Sequence, residues 1–497
     1  MSVPSTAGVT TATASGTHSC VLAPHLKGDL SRGSEGKYGR MFADLPCNEC
    51  DAVIFAALGR SGALMDVARA ADARASDETP GCIPAGYPIF GQLIAHNITA
   101  DRSLLQHHAN LGEIRNFRTP SLNLESFYSA GPSGSPYLYD VNDPAKFLLG
   151  INDAGQPNDL PRNAQGVALI GDPRDDVHLL ISQLHMVFLK FHNAIVDHLR
   201  ADGVAAADTF GEAQRLTRWH YQWIVVHEFL PLLVGDAVLN DVLDGGRRYY
   251  LPEGRPYIPV EFSDAAYRAG HSQIRSEYQV NDQARGQVFP DFAGGHSVPQ
   301  AQVIDWRYFF DLDAGHPQRP LSLRHMAAGS LTPGSLSLTA YDPGSLPQPS
   351  KRIEARLAHT LIDLPPRVVG TVTSPEEASL AYRDLQRARS LDLPSGEAIA
   401  RLMGIEPLTA EEVGLQALGW YGDTPLWYYV LREGDIRTGG VRLGEMGGRI
   451  VAEVLIGLLD ADPTSYRGAM PDWQPTLPSA QPGAFTMADL LRFAGAA

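Results

Sequence analysis

Residues 175–199, DDVHLLISQLHMVFLKFHNAIVDHL, set Val177, Leu180, Ile181, Leu184, Val187, Phe188, Phe191 and Ile195 at steps of three and four. That spacing puts apolar side chains on one face of an α-helix, so a long helix with one buried face is expected here. Asp175 and Asp176 would fall in its first turn, where carboxylates suit the positive end of the helix dipole, and Arg174 would stand at its mouth. Working outward, a second helix is expected to begin near Pro88 and to carry Phe90, Leu93, Ile94 and Asn97 along one side. Further helical runs are read at about 212–233, 263–274, 375–388 and 448–459. Strand signals are few. The stretch 320–349, rich in Ser, Leu, Pro and Gly, suits a short strand pair or an extended excursion over the surface. The expectation is a mainly α fold with few short strands. No repeat or break in composition divides the chain, so one domain over 20–497 is expected behind a flexible tail, 1–19.

Composition narrows the classes of function. The 497 residues are 44% hydrophobic with a formal charge of −16. Nucleic-acid binding rests on clustered Lys and Arg, so no such partner is expected. The first nineteen residues lack the positive and apolar regions of a secretory signal, which suggests a cytoplasmic location. No apolar run reaches the ~18 to 20 residues that span a bilayer, since 450–459 is broken by Glu453, so no membrane span is expected. Cys47 and Cys50 form a single C-x-x-C without a second pair, which argues against a zinc site. With Cys20 and Cys82 they leave the redox state open.

Sixteen histidines invite metal hypotheses. Pro231 stands four residues after His227 and rules out the H-E-x-x-H zinc helix, while His185, His192 and His198 are spaced for structural or surface roles rather than as a metal pair. No nucleophile elbow, dinucleotide-binding glycine run or P-loop is present. What remains is Gly91-Gln92-Leu93-Ile94-Ala95-His96-Asn97, in which Gln92 and His96 share one helix face. Alone, such a pair reads first as a capped or solvent-facing pair of polar groups.

The string is not alone. It is similar to the distal helix of the animal-type haem peroxidases, the peroxidase–cyclooxygenase superfamily. Three further segments resemble that family in order: Ile170-Gly171-Asp172-Pro173-Arg174 followed by Leu189-Lys190-Phe191-His192-Asn193; Phe262 through Tyr267-Arg268-Ala269-Gly270-His271; and Leu385-Gln386-Arg387-Ala388-Arg389. The resemblance implies a helical fold around a central haem. It implies His271 as axial ligand of the iron, with Gln92, His96 and Arg174 on the opposite, peroxide-binding face. Arg268 and Arg387 are implied to lie against the haem. Asp384, where the family shows Asn, would accept a hydrogen bond from His271 and make it more electron-donating, unless it merely pairs with Arg383 or Arg387.

The chemistry agrees. Splitting an O–O bond needs a base that takes the peroxide proton and returns it to the departing oxygen, and an imidazole suits that shuttle. A fixed guanidinium would stabilise charge on the leaving oxygen. Where mammalian relatives esterify the haem, this chain has Ala95 and Val177, which implies non-covalent haem b. The usual calcium-binding aspartate after the distal histidine is Asn97, and 126–135 lacks an acidic ligand, so calcium has weak support. Tyr267 is read as a packing residue, displaced from the place of a radical-forming tyrosine. The expected activity is reduction of hydrogen peroxide with electrons from a small, aromatic organic substrate, with halide oxidation open through Gln92. Two rivals are an oxygenase acting on a fatty acid or natural product, and a haem-containing adhesion or binding protein.

Overall fold

The computed structural model describes residues 36–50, 52–69, 79–100, 115–252, 255–312, 346–370 and 372–497. The tail 1–19, Cys20 and nearly all of 320–349 lie outside these. Six longer helices frame the site: α1 (Gly86–Ile98), α2 (Leu179–Ala201), α3 (Ala206–Ile224), α4 (Leu380–Ser390), α5 (Leu426–Thr438) and α6 (Glu445–Ala461). Strands are short, as expected. β1 (Gly36–Gly39) lies between β3 (Arg115–Asn116) and β4 (Ile258–Pro259); β2 (Pro80–Pro84) pairs antiparallel with β7 (Pro349–Lys351); β5 (Glu277–Gln279) pairs with β6 (Arg285–Gln287). The β2–β7 pair leads directly into α1 and fixes where that helix enters the core.

The 3.6-residue period of 175–199 does produce the central helix, but it starts later than the pattern suggests. Asp172 accepts the Arg174 N–H and opens a separate 3₁₀ turn, Pro173–Asp176. His178 then caps α2, its Nδ1 accepting the Ile181 N–H at 3.2 Å. Asp175 and Asp176 therefore do not serve α2 as first-turn charges: Asp176 pairs with Arg162, and Asp175 turns inward. α1 and α2 pack through aromatic side chains, with Phe90 stacked on Phe188 at 6.3 Å between ring centroids.

α2 is, by length and composition, apolar enough to cross a bilayer, which corrects the expectation that no segment reaches that length. Its most apolar window is 83% buried inside the protein, so it is a core helix. The run expected over 212–233 is α3 followed by a wide π turn, Val225–Phe229, and a last helical piece, Leu230–Val234. The π turn lies just before Pro231, which has no N–H to give the ladder. The run expected over 263–274 is instead a short helix, Val260–Ser263, and a 3₁₀ helix, Ala266–Gln273. Here the Arg268 Nε takes the Ser263 carbonyl at 2.9 Å, an acceptor that a continuous helix would have used. Ser379 caps α4 by accepting the Tyr382 N–H. One hydrophobic cluster runs through the described residues from Tyr38 to Ala494.

Candidate functional site

α1, the 3₁₀ turn before α2, the 3₁₀ helix of His271 and α4 converge on a cavity of about 230 Å³, lined by Gln92, His96, Arg174, Arg268, His271, Asp384 and Arg387. All seven residues singled out in the sequence thus reach one place, although they come from segments far apart in the chain.

On one wall, His96 is 9% exposed and its Nδ1 lies 2.6 Å from Asp175 Oδ1. The other oxygen of Asp175 lies 2.8 Å from Nδ1 of His185. Burial works against the Asp175 charge, yet the hydrogen bonds to His185 and His96 outweigh it and hold the carboxyl below the usual carboxylate range. Arg174 spans the end of α1. Its Nη2 donates to the carbonyls of His96 (2.9 Å) and Thr99 (2.6 Å), the C-terminal acceptors that a cation suits, and it forks onto Asp172, which Arg118 also grips. Gln92 Oε1 stands 3.0 Å from His178 Nε2. Because His178 Nδ1 is already an acceptor from Ile181, its Nε2 carries the proton and donates to Gln92. The Gln92 amide oxygen is occupied, which leaves its NH₂ as the polar group it offers the cavity.

Between the 3₁₀ helix of His271 and α4, His271 Nδ1 lies 2.7 Å from Asp384 Oδ2, and Arg268 Nη1 donates to Asp384 Oδ1 at 2.5 Å. Arg268 also pairs with Asp264 at 2.7 Å, and Arg387 Nε is 3.9 Å from the same Asp264 oxygen. Asp384 is fully buried; burial raises its pKa, but His271 and Arg268 prevail and hold it at about 2. It is hydrogen-bonded to His271 and Arg268, and its charge also acts on Arg383. Nδ1 of His271 is tied to a carboxylate, so a bond from this ring to a group in the cavity would be made through Nε2.

The donor set fits a haem: two imidazoles from different elements line one cavity, each anchored through Nδ1, with apolar walls from Ile89, Val177, Val288 and Phe289. A Cβ built at Gly270, beside His271, would meet no atom within 4 Å, so the backbone there is open to a flat ligand. Ala95 and Val177 also line the cavity, and neither carries a group able to form an ester.

Three contributors were missed in the sequence. Asp175 was hidden by its place in an apparent helix start, His178 by the lack of any motif, and Arg383, which lines the cavity, by its setting in a basic run. For Asp175, its position directly after the arginine was the available signal. The other histidines stand apart. His192, expected to be structural, is buried between the Tyr128 hydroxyl and the Ala145 carbonyl. His220 packs against Trp473 and Phe485, and His296 is exposed. His185, read as structural or surface, is buried and bound to Asp175. Asn97 spends its amide on structure: Oδ1 accepts the Leu124 N–H at 3.2 Å and Nδ2 donates to Ser126 Oγ at 3.3 Å. Tyr267, stacked on Phe262 at 4.7 Å, donates its hydroxyl to the Gly91 carbonyl. Cys47 is exposed, while Cys50 and Cys82 are buried.

The animal haem peroxidase family model matches residues 106–311. Chorion peroxidase of Aedes aegypti is 24% identical over 328 residues, covering 64% of this chain and 37% of its own length. Thyroid peroxidase of Rattus norvegicus is 24% identical over 354 residues, 67% of this chain and 35% of its own length. The chain thus spans little more than a third of these relatives. Among solved structures, Oryza sativa fatty acid alpha-dioxygenase aligns over 97% of this chain and 85% of its own, with a TM-score of 0.57 and 16% identity. Peroxidase A from Dictyostelium discoideum aligns over 84% of each chain, with a TM-score of 0.55 and 13% identity.

Proposed function

We propose that this chain, which belongs with the animal haem peroxidases, is a single catalytic unit over residues 20–497 that reduces hydrogen peroxide and oxidises a small, aromatic organic substrate. The observation that carries this reading is the pair of anchored imidazoles, His96 and His271, facing one cavity beside Arg174. When bound, the haem supplies the iron at which peroxide is reduced and through which electrons arrive from the second substrate.

The chain's own residues do the rest. His271 Nε2 would hold the iron, and Asp384 fixes the ring and would feed its basicity. His96 Nε2 takes one proton from peroxide and returns it to the departing oxygen, which leaves as water. Arg174 holds positive charge near that oxygen, and the Gln92 NH₂, oriented by His178, offers a neutral donor that also suits a halide. Arg268, Arg383 and Arg387, gathered around Asp264 and Asp384, suit the haem carboxylates. The haem is held without covalent links, because Ala95 and Val177 replace the ester-forming acids. Calcium is not part of the proposal: the Asn97 amide already ties α1 to the segment at 124–126.

An oxygenase reading would need a phenol able to carry a radical at the reacting centre. Tyr267 has its hydroxyl committed to Gly91, and burial pushes its pKa well above the usual phenol value, so proton loss is opposed. A mere binding role has no use for a base and a cation beside peroxide. The test is turnover of hydrogen peroxide with a set of phenols and anilines by the haem-loaded protein, followed by extraction with acidified butanone. Peroxide-dependent oxidation and complete removal of haem are expected. Oxygen uptake without peroxide, or haem left on the polypeptide, would contradict the activity and the binding mode respectively.

A further inference from the structure

We propose that Asp175 is a positioning residue that fixes the tautomer of His96 and stabilises its protonated form while it shuttles the peroxide proton. The inference rests on the peroxidase reading and adds a third member behind the base.

Asp175 is 0% exposed, and its two oxygens face two imidazole nitrogens, Nδ1 of His96 at 2.6 Å and Nδ1 of His185 at 2.8 Å. Arg174, its neighbour in sequence, is engaged with Asp172 and the carbonyls at the end of α1. An ionised carboxylate only accepts hydrogen bonds, so both Nδ1 atoms must donate. For neutral His96 this leaves the lone pair on Nε2, the form a base in the cavity needs. When Nε2 takes a proton from peroxide, the new imidazolium stands against a carboxylate already in place; when the proton passes to the departing oxygen, the same neutral tautomer is restored. One proton moves out and back, and Asp175 itself neither gains nor loses one.

His185 completes the arrangement from behind. It is 1% exposed and stacked on Phe127 at 4.0 Å, and its bond to Oδ2 keeps the carboxylate from turning away from His96. A structural carboxylate in a surface turn would look like Asp176, which meets an arginine at its edge. Burying Asp175 against imidazoles alone costs desolvation that a neutral side chain would avoid, so its placement calls for a chemical role.

The test uses holoprotein labelled with ¹⁵N-histidine in the diamagnetic ferrous carbon monoxide form, with the His96 signals assigned by their loss in His96→Gln. The parent is expected to show His96 protonated at Nδ1 and bare at Nε2. In Asp175→Asn the Nε2-protonated tautomer should appear. That variant's kcat/KM for peroxide should fall by about 10- to 100-fold, with kcat/KM for the reducing substrate and haem content unchanged. A parent carrying its His96 proton on Nε2 would overturn the proposal, and this measurement decides the matter even if Asp175→Asn does not fold. So would an Asp175→Asn protein with the parent's peroxide rate beside a slow His96→Ala. A His96→Ala protein as fast as the parent would instead remove the peroxidase reading underneath.

Discussion

The two histidines of the cavity use the same device with different counter-charges. His96 and His271 each direct Nδ1 at a fully buried aspartate, at 2.6 and 2.7 Å. Behind His271, the second oxygen of Asp384 is bound by the guanidinium of Arg268; behind His96, the second oxygen of Asp175 is bound by the imidazole of His185. A guanidinium is permanently charged and draws electron density away from the carboxylate, so it tempers the push that Asp384 gives to the ligand. An imidazole is neutral when unprotonated and leaves Asp175 free to answer a positive charge that comes and goes on His96. A ligand needs steady electron donation; a proton shuttle needs a partner that responds. The difference between Arg268 and His185 matches that division of labour.

The sharpest way to break this comparison is to remove the shuttle. His96→Ala should slow the reaction of ferric protein with peroxide by ~10² to 10⁴, the usual contribution of a positioned acid–base group. Arg174→Leu should cost ~10² to 10³, and the double variant should lose less than the product, since both groups act on one bond. Stopped-flow mixing at equal haem content measures all three. A parent-like His96→Ala would return Gln92 and His96 to a polar pair on a structural helix.

A smaller effect sharpens the other half. Asp384→Asn should weaken haem retention or turnover by about 10- to 100-fold and raise the iron's reduction potential, because the ligand loses an anionic acceptor. Asp175→Asn should leave the potential where it was. Spectroelectrochemical titration of both variants reads this crossing, and equal shifts in the two would erase the distinction.

A last effect, on stability rather than on turnover, comes from histidines that lack a carboxylate. Burial lowers His192 and His220 to about 4, below the ordinary value of ~6.5. Between those values the unfolded chain binds more protons than the folded one, so stability should fall as pH drops from ~6.5 to about 4, by at most ~1.4 kcal/mol per pH unit for each group. Denaturant melts across that window should show the loss, with a shallower slope in His220→Phe. An unchanged slope would mean that His220 is not held neutral.

Much of this site could be read from the chain because its parts are local strings. Gln92 and His96 sit one turn apart on α1, and Arg268 and His271 lie within one 3₁₀ helix, so spacing alone groups each pair. The ordered resemblance then joined strings that no periodicity could connect. What stayed hidden was decided by tertiary contact. Asp175 looked like a helix-start charge because apolar periodicity runs unbroken through 175–199, and the cap formed by His178 leaves no mark on that pattern. The 3₁₀ form of Ala266–Gln273 was likewise invisible, since it depends on Arg268 taking the Ser263 carbonyl. The length of α2 was legible while the extent of its burial was not, because the residues that cover it come from α1, α3 and the C-terminal segment around Phe485 and Phe493.

The most direct test of the two-histidine centre is the iron–imidazole stretching band of the ferrous haem-loaded protein. The parent is expected to show it, His271→Gly to lose it, and added imidazole to restore it in that variant while His96 stays in place. A His271→Gly protein that keeps the parent's band without imidazole would contradict the account, because the iron would then be held by another residue.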